Sequence, residues 1–125
     1  FRHVVLVSSI LARLGVPRYT AYCASKAGLL GLMRSWAVEL AAQNILVNAI
    51  APGWVNTSMA REGLAAMAEH GQREYDDVLQ EQMSHVLLGK MSEPEEIGEL
   101  IAYLLLQTSI TGQTLDINNG AVMPA

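Results

Sequence analysis

Hydrophobic and polar residues alternate along this chain with periods that change several times, and each change marks an element. From His3 to Ser9 the run is β-branched and continuously apolar before two serines, the pattern of a parallel strand covered on both faces. Gly15, Pro17 and Arg18 break any period between Leu14 and Thr20, which makes that stretch a loop. Helix is expected from Ala21 to about Gln43, where proline is absent and Leu29, Leu32, Met33, Trp36 and Leu40 recur at helical spacing. Only Lys26, Arg34 and Glu39 carry charge between Ala21 and Ala42. This helix is therefore expected to bury more than one face, one against a sheet and another against a partner subunit. Ile45 to Ala51 is a second apolar strand, closed by the turn Pro52-Gly53. Strand, helix and strand in that order form a βαβ unit, the building block of a parallel sheet.

The pattern then loosens. Asn56 to Lys90 is richer in Glu, Gln, His and Met, with Gly63, Gly71 and Gly89 as breakers between two helical pieces. It is expected to be a mobile excursion over a site, a lid spanning 57–91, rather than a core element. Ser92 stands three residues before Glu95, with Pro94 in the first turn and Ile97, Leu100, Ile101, Leu104 and Leu105 following. That is a capping box opening an amphipathic helix. After Thr111-Gly112, Gln113 to Ile117 forms a last short strand. No repeat or linker divides the chain, so 1–125 is expected to be one domain or part of one.

Composition narrows the class. At 125 residues, 51% of them hydrophobic, the chain can bury one core but not two. The formal charge of -4 comes without a Lys/Arg cluster, which argues against a nucleic-acid surface and for small-molecule or protein partners. Cys23 is the only cysteine; an internal disulfide and a multi-thiolate zinc site are excluded, and a reducing cytoplasm fits best. No stretch approaches the roughly 18 uninterrupted apolar residues of a membrane span. The chain opens on Phe1 directly before a strand, which points to a cut or incompletely recorded sequence.

Candidate chemistry centres on Tyr22 and Lys26, four apart on one helical face. A free phenol has a pKa near 10, too high for proton transfer at neutral pH, and a neighbouring ammonium favours the phenolate by direct charge interaction. On its own such a pair is ordinary helix surface. Ser9 adds weight, because it is expected at the carboxyl end of the first strand, where open α/β sheets place their ligands. Its hydroxyl can polarise a carbonyl, although a serine there more often serves a local hydrogen bond. Cys23 is read as a small core residue. His70 and His85 flank Asp76-Asp77 too widely for a metal site, and Met59, Met67 and Met83 either line an apolar pocket or pack a lid.

Ser9, Tyr22 and Lys26, followed by a strand ending in Asn48-Ala49-Ile50-Ala51-Pro52-Gly53-Trp54-Val55-Asn56-Thr57, together resemble the second half of the short-chain dehydrogenase/reductases. The likeness runs from Val4 through the Ser92-Glu93-Pro94-Glu95-Glu96-Ile97 helix start to Thr111-Gly112-Gln113-Thr114-Leu115. It implies an α/β fold: the carboxyl-terminal half of a Rossmann-type doubly wound parallel sheet, three strands with flanking helices, the amino-terminal βαβ half missing. It also implies an oxidoreductase moving hydride between NAD or NADP and a carbonyl or secondary-alcohol substrate. By that resemblance Ser9 orients the substrate oxygen, Tyr22 is the general acid/base, and Lys26 binds nicotinamide-ribose hydroxyls beside Tyr22. Pro52 and Gly53 would lie against the nicotinamide, Val55 would hold its carboxamide through the backbone, and Thr57 would contact the cofactor by its side chain. Substrate determinants are expected between Met59 and Met91, and a homodimer or homotetramer through helix 21–42.

Two departures stand out: Asn118-Asn119-Gly120 replaces an acidic-Gly-Gly, and the connection from Leu106 to Ile110 is short. The glycine-rich phosphate loop, the residue choosing NAD or NADP and the asparagine of the catalytic tetrad are all absent. Without that half, the first strand would present an apolar edge that invites pairing. A second reading follows from the same gap, in which the chain is a truncated, non-catalytic assembly or binding module.

Overall fold

Val47, Ala49, Ile50 and Ala51 are sealed from solvent, and the fold is laid around the strand that holds them. The computed structural model describes residues 1–124. Its sheet has three strands in the order β1-β2-β3: β1 Arg2–Val7, β2 Ile45–Pro52 and β3 Thr114–Ile117. Both pairings are parallel, with Arg2 opposite Ile45, Val7 opposite Ile50 and Pro52 opposite Ile117. All three carboxyl ends therefore meet at one edge of the sheet. Among the described residues β1 and β3 are the two edge strands, and no strand pairs with the far side of β1.

Helix α1, Thr20–Leu40, makes the crossover. Leu30, Met33 and Ala37 pack on Val47 and Ala49, with Val4 and Leu6 against the same cluster. Of the expected stripe Met33, Trp36 and Leu40 do face this cluster, joined by Leu30 and Ala37, while Leu32 is 37% exposed and Val38, outside that stripe, 81%. A helix apolar nearly all round carries little periodicity by which to choose a face. Its expected end at Gln43 is a tighter 3-10 turn, Ala41–Gln43, closed by Asn44 in the left-handed conformation at φ 57, which asparagine tolerates better than most residues.

The excursion has more structure than its composition implies. α2, Ser58–Gly71, and α3, Tyr75–Ser84, bury Leu64, Ala68 and Val78 in a second cluster, flanked by Trp54, Met67, Tyr75 and Leu79. The segment 57–91 therefore contributes a small core of its own. Gly63 is no breaker but lies inside α2, where an added Cβ would sit 3.6 Å from the Tyr19 hydroxyl.

Two further boundaries differ from the sequence reading. The helix α4 is Pro94–Leu104 and its N-cap is Glu93 rather than Ser92, because a proline at the first helical position sets the cap one residue before it. The reciprocal carboxylate is accordingly Glu96, whose Oε2 accepts the Glu93 N–H at 2.7 Å. β3 begins at Thr114 because Gln113 is drawn aside, its N–H donated to Asn48 Oδ1 at 3.1 Å. Buried Asn48 also donates to the Ile110 carbonyl at 2.8 Å, and Thr111 Oγ1 accepts the Val47 N–H at 3.0 Å. These bonds anchor the short connection directly on β2.

Candidate active site

β1 releases its chain one residue beyond Val7. Ser8 still donates its N–H to the Ile50 carbonyl at 2.8 Å, and its hydroxyl donates to the Lys26 carbonyl at 2.8 Å, which ties the strand end to α1. Ser9, expected inside the strand, instead caps the 3-10 turn Ile10–Ala12. Its Oγ accepts the Leu11 N–H at 3.0 Å. That bond uses a lone pair and leaves the Ser9 O–H able to donate.

Tyr22 and Lys26 lie in the first turns of α1, beside this strand end. The Lys26 ammonium donates to the Val7 carbonyl at 3.1 Å and stands 5.5 Å from the centroid of the Tyr22 ring. A charge held over an aromatic face at that distance is a cation–π arrangement. Tyr19 meets Tyr22 edge to face, centroids 6.1 Å apart and planes at 88°, a favoured aromatic geometry. Ser8 and Tyr19 thus fix the lysine-bearing turn and the tyrosine ring, and the sequence reading overlooked both. The i,i+3 spacing of the two tyrosines was the signal available for Tyr19.

The opposite wall is built by the end of β2. Gly53 donates its N–H to the Ile117 carbonyl at 3.0 Å, bringing β2 and β3 so close that an added Cβ would stand 2.8 Å from Asn118 Cβ and 3.1 Å from its Cα. Only glycine fits that approach. Asn118 in turn accepts the Gly120 N–H at 3.0 Å and donates to the Val122 carbonyl at 3.3 Å. The departure at 118–120 is therefore a well-bonded turn, with Asn119 at φ 56 and Gly120 at φ 82 and Asn119 Nδ2 donating to Ser92 Oγ at 3.1 Å.

Val55 forms a parallel bridge with Ser92. Its hydrogen bonds belong to the neighbours, Ser92 N–H to the Trp54 carbonyl at 2.9 Å and Asn56 N–H to the Ser92 carbonyl at 2.8 Å. The bridge leaves Val55's own N–H unused, since parallel pairing alternates sides. Its carbonyl accepts the Thr57 hydroxyl at 3.3 Å, while Thr57 Oγ1 caps α2 by accepting the Ala60 N–H at 3.3 Å.

Ser9, Tyr22, Lys26, Pro52, Gly53, Val55 and Thr57 all line one cleft of about 1150 Å³ at the carboxyl edge of the sheet. Met59, Met67, His70 and His85 line it too, whereas Met83 faces a separate recess of about 520 Å³. Cys23 is half-buried and its Sγ lies 3.5 Å from the Leu14 carbonyl. Among the described residues no cluster of three or more His, Cys, Asp or Glu side chains could hold a metal ion, and no helix is long and apolar enough to cross a membrane. The cleft thus brings together a phenol, an adjacent ammonium and a hydroxyl donor, with a turn carrying a backbone N–H that its bridge does not use.

Residues 2–122 match the family model described as enoyl-(acyl carrier protein) reductase. A 3-oxoacyl-(acyl-carrier-protein) reductase of Thermotoga maritima is 38% identical over 122 residues, the match covering 96% of this chain and 45% of the relative. An actinorhodin polyketide ketoreductase solved with NADPH has a TM-score of 0.88 at 30% identity, over 95% of this chain and 46% of that one. An NAD+-bound xylitol dehydrogenase has a TM-score of 0.86 at 29% identity, over 92% of this chain and 47% of the other. The chain spans about half the length of the curated relatives it matches, 45% in the first. On the strength of this match along nearly its whole length, the chain belongs to the short-chain dehydrogenase/reductase family.

Proposed function

We propose that the intact protein is an NAD- or NADP-dependent oxidoreductase interconverting a carbonyl and a secondary alcohol, with Tyr22 as the general acid/base. The observation that carries this reading is the convergence of Tyr22, Lys26 and Ser9 in one cleft, Lys26 held 3.1 Å from the Val7 carbonyl and 5.5 Å from the Tyr22 ring centre. Related structures solved with NADPH and NAD+ support the choice of cofactor.

The cleft fits such a group. Pro52 and Gly53 offer a flat apolar turn, Val55 a backbone N–H its bridge does not use, and Lys26 an ammonium with donors beyond the one given to Val7. Thr57 would add its hydroxyl only by exchanging one of its present partners. When bound, the nicotinamide supplies or accepts the hydride. Ser9 donates its O–H to the substrate oxygen and orients it, its lone pair already committed to the Leu11 N–H. Tyr22 gives its phenolic proton to that oxygen during reduction and takes it back during oxidation. Lys26 keeps positive charge beside the phenol as the proton moves, and Val7 keeps Lys26 there. Substrate selection falls to the lid segment between Met59 and Met91.

The activity is assigned to the intact protein. The 125 residues span less than half of the first relative and are proposed not to be competent alone. Exposed Leu32 and Val38 on α1 support packing of a second copy there. Replacing Tyr22 with Phe is expected to abolish ketone turnover by the intact protein while cofactor binding and the circular dichroism spectrum stay as they were. Undiminished turnover would reject the assignment.

A further inference from the structure

The chain is acidic, with 12 Asp and Glu against 8 Lys and Arg. Its cleft is the reverse, for no Asp or Glu is among the residues that line it. Arg18, Lys26, Arg73, His70 and His85 do line it, so every ionisable side chain there other than a tyrosine is a base. Lys26 is committed beside Tyr22, and Arg73 is bonded to Glu81 on the lid. Arg18 is different. Among the described residues no carboxylate lies within ion-pair distance of its guanidinium.

The backbone marks the same residue, one of four non-glycine residues at positive φ among those described. Arg18 sits at φ 73, a conformation that glycine adopts without cost and a long side chain seldom does. Outliers of this kind gather at ligand sites, where surrounding structure holds them. The holding element is next door, since the Tyr19 hydroxyl approaches α2 at Gly63. That approach sets the Arg18 loop beside α2, with Arg18 among the residues lining the cleft. Trp54, Met67, Val78 and Val86 add apolar surface to the lining of the cleft.

We infer that the substrate carries an anionic group, a carboxylate or phosphate on an apolar body, and that Arg18 selects for it. The guanidinium receives the anion at the mouth, the body lies along Trp54, Met67, Val78 and Val86, and the carbonyl reaches Tyr22 and Ser9. A planar fork of donors suits either anion by paired hydrogen bonds, and among the described residues lining the cleft none is a carboxylate that would repel it. This inference rests on the oxidoreductase reading of the cleft but not on the identity of the reaction.

The test uses the intact protein and two linear ketones with one carbon skeleton, one ending in a carboxylate and the other in its methyl ester. Turnover gives kcat/KM for each, and quenching of tryptophan fluorescence, Trp54 lining the cleft, gives binding without chemistry. The wild type should favour the carboxylate about tenfold in both measurements, the low end for a charge-assisted hydrogen bond. Arg18→Gln should bring that ratio close to one, and Arg18→Lys should restore part of it. A terminal phosphate in place of the carboxylate distinguishes the two anions. A wild-type ratio near one, or a ratio unmoved by Arg18→Gln, overturns the inference. Turnover of both ketones without preference overturns it while leaving the oxidoreductase reading intact. Arg18-dependent binding of the carboxylate without any turnover does the opposite.

Discussion

Gly53 offers the sharpest test of how the site is held. A Cβ at this position would stand 2.8 Å from Asn118 Cβ and 3.1 Å from Asn118 Cα, the second a backbone atom that cannot swing aside. Gly53 is not at positive φ, so Gly53→Ala meets no conformational penalty and its cost is steric alone. Relief requires β2 and β3 to part at their ends, stretching the 3.0 Å bond from the Gly53 N–H to Ile117. Overpacking of this kind costs about 2 kcal/mol. With a urea dependence of about 2 kcal/mol per molar, the midpoint of unfolding should fall by about 1 M. The control is Gly98→Ala, since Gly98 lies in α4 with nothing within 4 Å of its missing Cβ. Helix propensity alone should then raise stability by about 0.5–1 kcal/mol. The same change of residue type thus has opposite signs at the two positions. A Gly53→Ala variant as stable as the wild type would refute the close approach of the strand ends.

Other perturbations probe the walls of the cleft. Thr57→Ala removes the α2 cap and the bond to the Val55 carbonyl and should cost about 1 kcal/mol in urea unfolding. Asn119→Ala places an ordinary side chain at φ 56 and loses the bond to Ser92; it should be about 1 kcal/mol less stable than Asn119→Gly, which loses the bond alone. Leu64→Ala empties the centre of the second cluster, where Leu64 is fully buried, and should cost about 3 kcal/mol. If α2 and α3 shared no core, that loss would be negligible by the same measurement.

The parallel sheet and the order of its elements were legible because they rest on runs of apolar residues bounded by Gly and Pro, signals that survive without tertiary context. The residues expected to form the site, from Ser9 to Thr57, do share one cleft. What was not legible depended on partners remote in the chain. Ser9 leaves the strand because Leu11 captures its hydroxyl. The cap of α4 moved because Pro94 outranked Ser92, which instead bridges to Val55. Asn48 reads as one polar residue in an apolar strand, yet it anchors the loop at 110–113. The cluster of Leu64 and Val78 joins two helices whose mean composition is polar, so only their meeting reveals a core. Arg18 read as loop punctuation, since neither its φ nor its lack of a carboxylate can be seen in sequence.

The most direct test of the account follows the hydride itself. The intact protein is given a ketone and a nicotinamide cofactor carrying deuterium at the transferable position, and the alcohol is examined by mass spectrometry. One deuterium is expected on the carbinol carbon with the wild type, and no labelled alcohol with Tyr22→Phe. Alcohol formed without the label, or labelled equally by both proteins, would contradict it.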